Sequence, residues 1–231
     1  DLDNLAYEDD TKIIKTLNGL GCAYAVYSTR KHQTTKPRIR VIFPLAEDVS
    51  ADEYEPIARK VASFIGLRYC DPTTFQAVRL MYWPSHSKDS DYVFTYADKP
   101  MLDGKAVLNM YADWRDVTTW PEVPDAQKLH QNMLKKQENP LEKEGMVGAF
   151  CRRFNIYEAI AEFLPGVYEE CDVPDRLTFV GGSTTAGAIV YQDGLFLYSH
   201  HATDPCSQKL VNAFDLVRLH KFGHKDISAD V

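Results

Sequence analysis

The stretch "YSTRKHQTTKPRIRVIFPL", Tyr27 to Leu45, holds Arg30, Lys31, Lys36, Arg38 and Arg40, one histidine (His32) and no acid. The chain around it has 231 residues and a formal net charge of −7. Positive charge is therefore gathered in one place on an acidic protein. "AYAVYS" enters the stretch as a strand, and "TRKHQTTKP" is a polar turn. "RIRVIFPL" leaves it as a second strand, with Arg38 and Arg40 on one face and Ile39 and Val41 on the other. This is a hairpin with its basic side chains grouped near the turn.

Outward from the hairpin the chain mixes helices and strands in an α+β pattern. "YEDDTKIIKTLNGLG" predicts a helix capped by Asp9 or Asp10, faced by Ile13, Ile14 and Leu17, and ended by Gly19 or Gly21. "SADEYEPIARKVASFIG" predicts a helix opened by a Ser50–Glu53 capping box and stopped at Gly66. "CDPTTFQAVRLMYWPS" reads as a loop holding Asp71 and then a strand, about Val78 to Trp83. "DYVFTYAD" reads as another strand. Composition turns polar and proline-punctuated after Trp120, which predicts a linker with one exposed helix over residues 119–145. It separates a domain of residues 1–118 from a small C-terminal region, 146–231. There, Asn155 and Glu158 cap a helix, "LTFVGG" and "GAIVYQDGLFLYS" form a small sheet with a tight Asp193-Gly194 turn, and "SQKLVNAFDLVRLHKFG" is a last helix ending at Gly223.

The acidic balance argues against coating nucleic acid or an anionic membrane by bulk charge. No apolar run approaches the roughly 20 residues of a membrane span, and no signal peptide is visible. The five cysteines are scattered without a CxxC pair, which reads as reduced cytosolic thiols.

Three carboxylates stand out. In "DLD" a strand would turn Asp1 and Asp3 to the same face, a costly arrangement unless a cation sits between them. Asp71 is the third. Around the hairpin, Ser28, His32, Arg38 and Arg40 can all donate to phosphate oxygens. Arg79, inside the expected apolar strand, needs an internal carboxylate or a ligand phosphate as partner. Three acids can hold one or two Mg²⁺ or Mn²⁺ ions and the basic residues a triphosphate, which is the apparatus of two-metal nucleotidyl transfer.

At these residues the sequence resembles the archaeo-eukaryotic primases, or primase-polymerases. "DLD" (Asp1, Asp3) looks like their Asp-x-Asp motif, "STRKH" like their Ser-x-His motif with His32 in the histidine place, and "YCD" (Asp71) like their hydrophobic-Asp motif, in that order. The likeness is to the primase domain of phage and prophage replication proteins of the virulence-associated protein E type. "YSHHATDP…NAFDLVRLHKFG" also resembles the region leading to the helicase domain of those proteins. The resemblance implies an RRM-like core beside a second α/β unit, and primer synthesis and extension from NTPs or dNTPs on a single-stranded DNA template. It implies Asp1, Asp3 and Asp71 as metal ligands, and His32, Arg40 and Arg79 as triphosphate ligands. Ser28 lies four residues before His32 rather than two. Arg30 holds the expected serine place and is a phosphate contact in its stead. The resemblance further implies a helicase partner, in the same parent chain or separate, and the cytoplasm of a bacterial host. The chain opens without methionine and without the strand expected before the first motif, so a fragment of a longer protein, with weakly held metal ligands, is expected. An alternative reading is a non-catalytic DNA- or nucleotide-binding module that recruits or regulates a helicase.

Three other features bear on function. His200, His201 and Cys206, with Cys171, are a weak zinc set without CxxC spacing. "GGSTTAG", 181–187, lacks the Gly-Lys-Ser/Thr ending of a phosphate loop and reads as a connection between strands. Tyr82, Trp83 and Tyr92 can stack template bases, although aromatics in strands are more often core.

Overall fold

The computed structural model describes residues 1–3, 5–124 and 126–226. The chain divides into two compact units. The first is Asp1–Ala112 with Trp120–Gln127; the second is Asp113–Thr119 with the chain from Lys128 onward. The class is α+β.

In the first unit, α1 (Asp9–Gly19) and α2 (Ala51–Ile65) lie against one side of a three-stranded antiparallel sheet, β1 (Tyr24–Ser28), β2 (Ile39–Ile42) and β3 (Phe94–Ala97), in the order β2-β1-β3. α2 forms as its termini dictate. Ser50 Oγ accepts the Glu53 N–H at 3.3 Å, Glu53 Oε2 accepts the Ser50 N–H at 2.8 Å, and Gly66 ends the helix at φ 125°. α1 starts differently from expectation. Its N-cap position is Glu8, in the left-handed region with no side-chain cap. Asp9, already inside the helix, reaches back to accept the Ala6 N–H at 2.9 Å and pairs with Lys12 at 3.2 Å. Ile13 and Leu17 of α1 and Ala62 of α2 bury against Tyr24, Val26 and Ile39 of the sheet. A short helix, α3 (Gly104–Leu108), is capped by Asp103 and packs on α2.

The sheet extends past β2. Leu2 exchanges backbone hydrogen bonds with Ile39 at 2.9 and 3.2 Å and bridges to Cys70 on its other side. The order across the sheet is therefore 69–71, 1–3, β2, β1, β3. The strand expected over 78–83 is absent. Pro72–Phe75 is a 3₁₀ turn, and residues 76–92 form no ladder. An alternating apolar pattern supplies no hydrogen-bond partner. Here the Tyr82 carbonyl accepts from the side chains of Arg40 and Tyr27 instead.

In the second unit, α4 (Ala126–Lys136), which begins in the first, precedes α5 (Gly145–Arg153) and α6 (Ile156–Phe163). A five-stranded antiparallel meander follows: β4 (Tyr168–Glu170), β5 (Arg176–Phe179), β6 (Ala188–Tyr191), β7 (Phe196–Ser199) and β8 (Leu210–Val211). Asn155 and Glu158 make the expected capping box, with both bonds at 2.9 Å. The β6–β7 turn runs through the left-handed region at Gln192, Asp193 and Gly194. The last helix, α7, is Ala213–Asp226. It starts later than expected because Leu210–Val211 pairs with β7, and Asn212 Oδ1 then caps by accepting the Asp215 N–H at 2.9 Å. Ile156, Leu197 and Leu216 are fully buried at the centre of this core. No helix among the described residues is long and apolar enough to cross a membrane.

Candidate functional site

Side chains alternate along a strand, so the buried position of Leu2, Ile39 and Cys70 fixes where their neighbours point. Asp1, Asp3, Asp71, Arg38 and Arg40 all fall on the sheet face opposite the helices. Tyr27 pairs with Arg40 on one side and Phe94 on the other. One row across the face thus reads Asp71, Asp1, Arg40, Tyr27, Phe94.

Each acid on this face meets an arginine. Arg40 Nε donates to Asp1 Oδ1, and Arg40 Nη1 donates to the Tyr82 carbonyl at 2.8 Å. Arg38 Nη1 lies 3.3 Å from Asp3 Oδ2, and Arg79 Nη2 lies 4.0 Å from Asp71 Oδ2. Asp71 Oδ1 is committed locally: it accepts from Thr73 N and Thr73 Oγ1, both at 2.8 Å, and so caps the 3₁₀ turn. Gathering three carboxylates is unfavourable by itself, and the guanidinium groups offset that repulsion. Arg79 is not buried in a strand; its side chain is 43% exposed, which leaves it able to move. Behind Asp71, burial pushes the Cys70 thiol up to about 11, keeping it protonated.

The hairpin residues separate into two groups. Ser28 is fully buried on the helix side, and its hydroxyl accepts the Val93 N–H at 3.0 Å, so it is not among the basic residues. His32 is 3% exposed. Its ring Nδ1 accepts the Arg38 N–H at 3.2 Å, so the imidazole shapes the turn, and its backbone N–H donates to the Thr29 carbonyl at 2.9 Å. Arg30, Lys31, Lys36 and Arg38, with His32, line an open hollow of about 570 Å³ whose far side carries Ser87, Ser90 and two acids, Asp89 and Asp91. The hydroxyl of Thr34 ties that far side down through Asp91 Oδ2 at 2.6 Å.

Reading the sequence missed Tyr27, Phe94 and Tyr96. The signal for Phe94 and Tyr96 was available in the alternation of "YVFTYA", which places Tyr92, Phe94 and Tyr96 on one face. Tyr82 and Trp83 are 71% and 90% exposed.

The histidine-cysteine set breaks up in the second unit. Both nitrogens of buried His201 are used: Nδ1 meets Thr184 Oγ1 at 2.7 Å, and Nε2 accepts from Phe179 N and Gly187 N at 3.1 and 3.2 Å. Cys171 Sγ donates to the Arg176 carbonyl at 3.3 Å. Cys206 instead falls beside Asp204 and His220, their ligand atoms within 4.8 Å of one another. Asp204 is the hub there, accepting from the Tyr168 hydroxyl at 2.7 Å and the Cys206 N–H at 2.7 Å, with His220 Nε2 at 3.3 Å. Burial pushes its carboxyl up, but donation from His220, Cys206, Ser199 and Tyr168 more than offsets this and holds it below the usual carboxylate range. Residues 181–187 connect β5 and β6 as a loop, as expected.

Comparison with curated proteins found no match, and comparison with solved structures found none either. A family model described as the VapE N-terminal domain matches residues 1–123, the stretch that holds the acids, the basic hairpin and the sheet. More than half of the chain is covered, and the chain belongs to the VapE N-terminal domain family, with a role associated with phage or mobile-element replication.

Proposed function

We propose that the first unit is a DNA-templated nucleotidyltransferase, a primase-polymerase domain that makes and extends primers. The observation that carries this reading is the convergence of Asp1, Asp3 and Asp71 on one sheet face, beside Arg38 and Arg40 and a basic hollow. Residues far apart in sequence are brought together there by the pairing of 1–3 between β2 and 69–71.

The donor set fits a hard divalent cation. Carboxylate oxygens suit Mg²⁺ or Mn²⁺, and the neighbouring softer ligand, the Cys70 thiol, is buried in the core. Asp1, Asp3 and the outer oxygen of Asp71 would hold the ions. When bound, such ions activate a 3′-hydroxyl and neutralise a leaving pyrophosphate. The protein's own contributions follow from its geometry. Arg38 and Arg40 exchange their carboxylate partners for the phosphates of an incoming NTP or dNTP, and Arg30, Lys31 and Lys36 widen the field that attracts it. His32 holds the hairpin in the shape that presents Arg38. Arg79 leaves Asp71 for phosphate. The sheet acts as an RRM-like platform, and the remainder of the acidic surface limits indiscriminate binding to DNA.

A second reading has one observation in its favour. Every acid already has an arginine, so the face is electrostatically satisfied without a cation, as a nucleotide- or DNA-binding module that recruits a helicase would require. Metal-dependent incorporation of labelled nucleotides on single-stranded DNA separates the two. Incorporation that is lost in Asp3→Asn supports the enzyme; incorporation indifferent to Asp3→Asn overturns it.

A further inference from the structure

β3 is an edge strand with an open face. Tyr92, Phe94 and Tyr96 sit at alternate positions along it and are 43%, 57% and 66% exposed. The Ser28 N–H donates to the Val93 carbonyl at 2.9 Å, which carries the pairing with β1 one residue beyond β3 and keeps Tyr92 in the same alternation. The Phe94 and Tyr96 rings are 6.1 Å apart and tilted by 37°. His86 extends the line, 5.3 Å from Tyr92. Three large rings left in water at the edge of a sheet whose other face is well packed are not needed for the core.

We infer that this stripe is a stacking track for the bases of a single-stranded nucleic acid, the template of the activity proposed above, on which this inference rests. Three features select that occupant. The exposed groups are rings, which offer a π-face to any base, whereas the aliphatic Ile42 is the lone large apolar neighbour from β2. Alternate residues on a strand stand about 6.7 Å apart, close to twice the 3.4 Å rise of stacked bases, so a strand can lay alternate bases on successive rings. Arg38 and Arg40 lie on the same face two ladder spacings away, about 10 Å. They place positive charge where a backbone running beside the stripe carries its phosphates. A template on β3 and a triphosphate on the hairpin then lie on either side of Tyr27, which is 5% exposed and bonded through its hydroxyl to the Tyr82 carbonyl. Tyr82 and Trp83, on the segment that crosses above Arg40, provide further rings at the same end.

The test compares labelled oligo(dT) with an abasic strand of equal length and charge. Binding to the full chain is followed by fluorescence anisotropy at one fixed salt concentration. The wild type is expected to prefer the base-bearing strand by about fivefold or more for each ring engaged. The Phe94→Ala/Tyr96→Ala double variant is expected to bind both strands alike with an unchanged melting midpoint, and Phe94→Tyr is expected to keep the preference. Triphosphate affinity, measured separately without DNA, should be the same in all of these proteins. Equal binding of the two strands by the wild type, or a base preference that survives in the double variant, overturns the stripe. A base preference lost with the rings in a protein that shows no nucleotide incorporation would sustain the stripe while removing the proposed activity.

Discussion

Arg40 is bonded to Asp1 across the gap between β2 and the amino-terminal segment, and the two side chains are almost equally shielded, 13% and 11% exposed. The same guanidinium holds the Tyr82 carbonyl. Arg40 is therefore a cation with two removable partners, placed between an acid that would hold metal and a segment that lies across the site. Replacing it with alanine should lower triphosphate affinity about tenfold, the loss of one charge-assisted contact. Lysine should restore only part of this, because it lacks the planar fork. Titration with a fluorescent nucleotide reads both effects. Unchanged affinity in Arg40→Ala would remove the hairpin from the site.

His32 makes its contribution through Arg38. His32→Ala would leave the half-buried Arg38 N–H without its acceptor, at a cost of about 1 kcal/mol, and would loosen the turn. His32→Asn retains an acceptor oxygen near the same place. Thermal midpoint and triphosphate affinity should both fall in the alanine variant and both recover in part in the asparagine variant. Equal loss of affinity in the two, with both midpoints unchanged, would assign His32 a direct phosphate contact instead.

Local signals were the ones legible in the sequence. The capping boxes at Ser50–Glu53 and Asn155–Glu158 involve residues three apart, so a short window contains the whole interaction. The β1–β2 hairpin was legible because its turn and alternation are contiguous. The segment 78–83 was not, because period-two alternation describes a face and not a partner. Whether a ladder forms depends on which edges of the sheet lie within reach. The same limit hid β8, two residues long, inside an apparent helix. Of the site, the acids and arginines could be named, but their pairing could not. Arg38 with Asp3 and Arg40 with Asp1 depend on a register between strands 35 or more residues apart. Ser28 looked like a phosphate ligand by spacing, yet strand parity turns it into the core.

The second unit should be acid-sensitive through Asp204. Its folded pKa lies below the unfolded value near 3.8. The stability it contributes is thus fully present above that unfolded value and is lost as pH falls through the folded one. The melting midpoint should be nearly flat on its account from neutral pH to about 5 and should drop below about 4. Asp204→Asn should lower the midpoint at neutral pH, by about 2 kcal/mol of stability, because Tyr168 and the Cys206 N–H lose a charged acceptor. It should also flatten the drop in acid. A variant as stable as the wild type, with the same acid profile, would show that the hub does not hold this unit together.

The most direct test of the central claim is Mn²⁺-dependent incorporation of labelled nucleotides on single-stranded DNA by the chain and by Asp71→Asn. Asp71 suits this test because its inner oxygen caps the 3₁₀ turn and asparagine keeps that acceptor, so the fold is preserved while the outer negative charge is removed. The predicted result is product from the wild type and a loss of at least about a hundredfold in the variant, with Mn²⁺-independent triphosphate binding retained. Equal product from both proteins, or none from a wild type that still binds triphosphate, would contradict the account and leave the face as a binding surface alone.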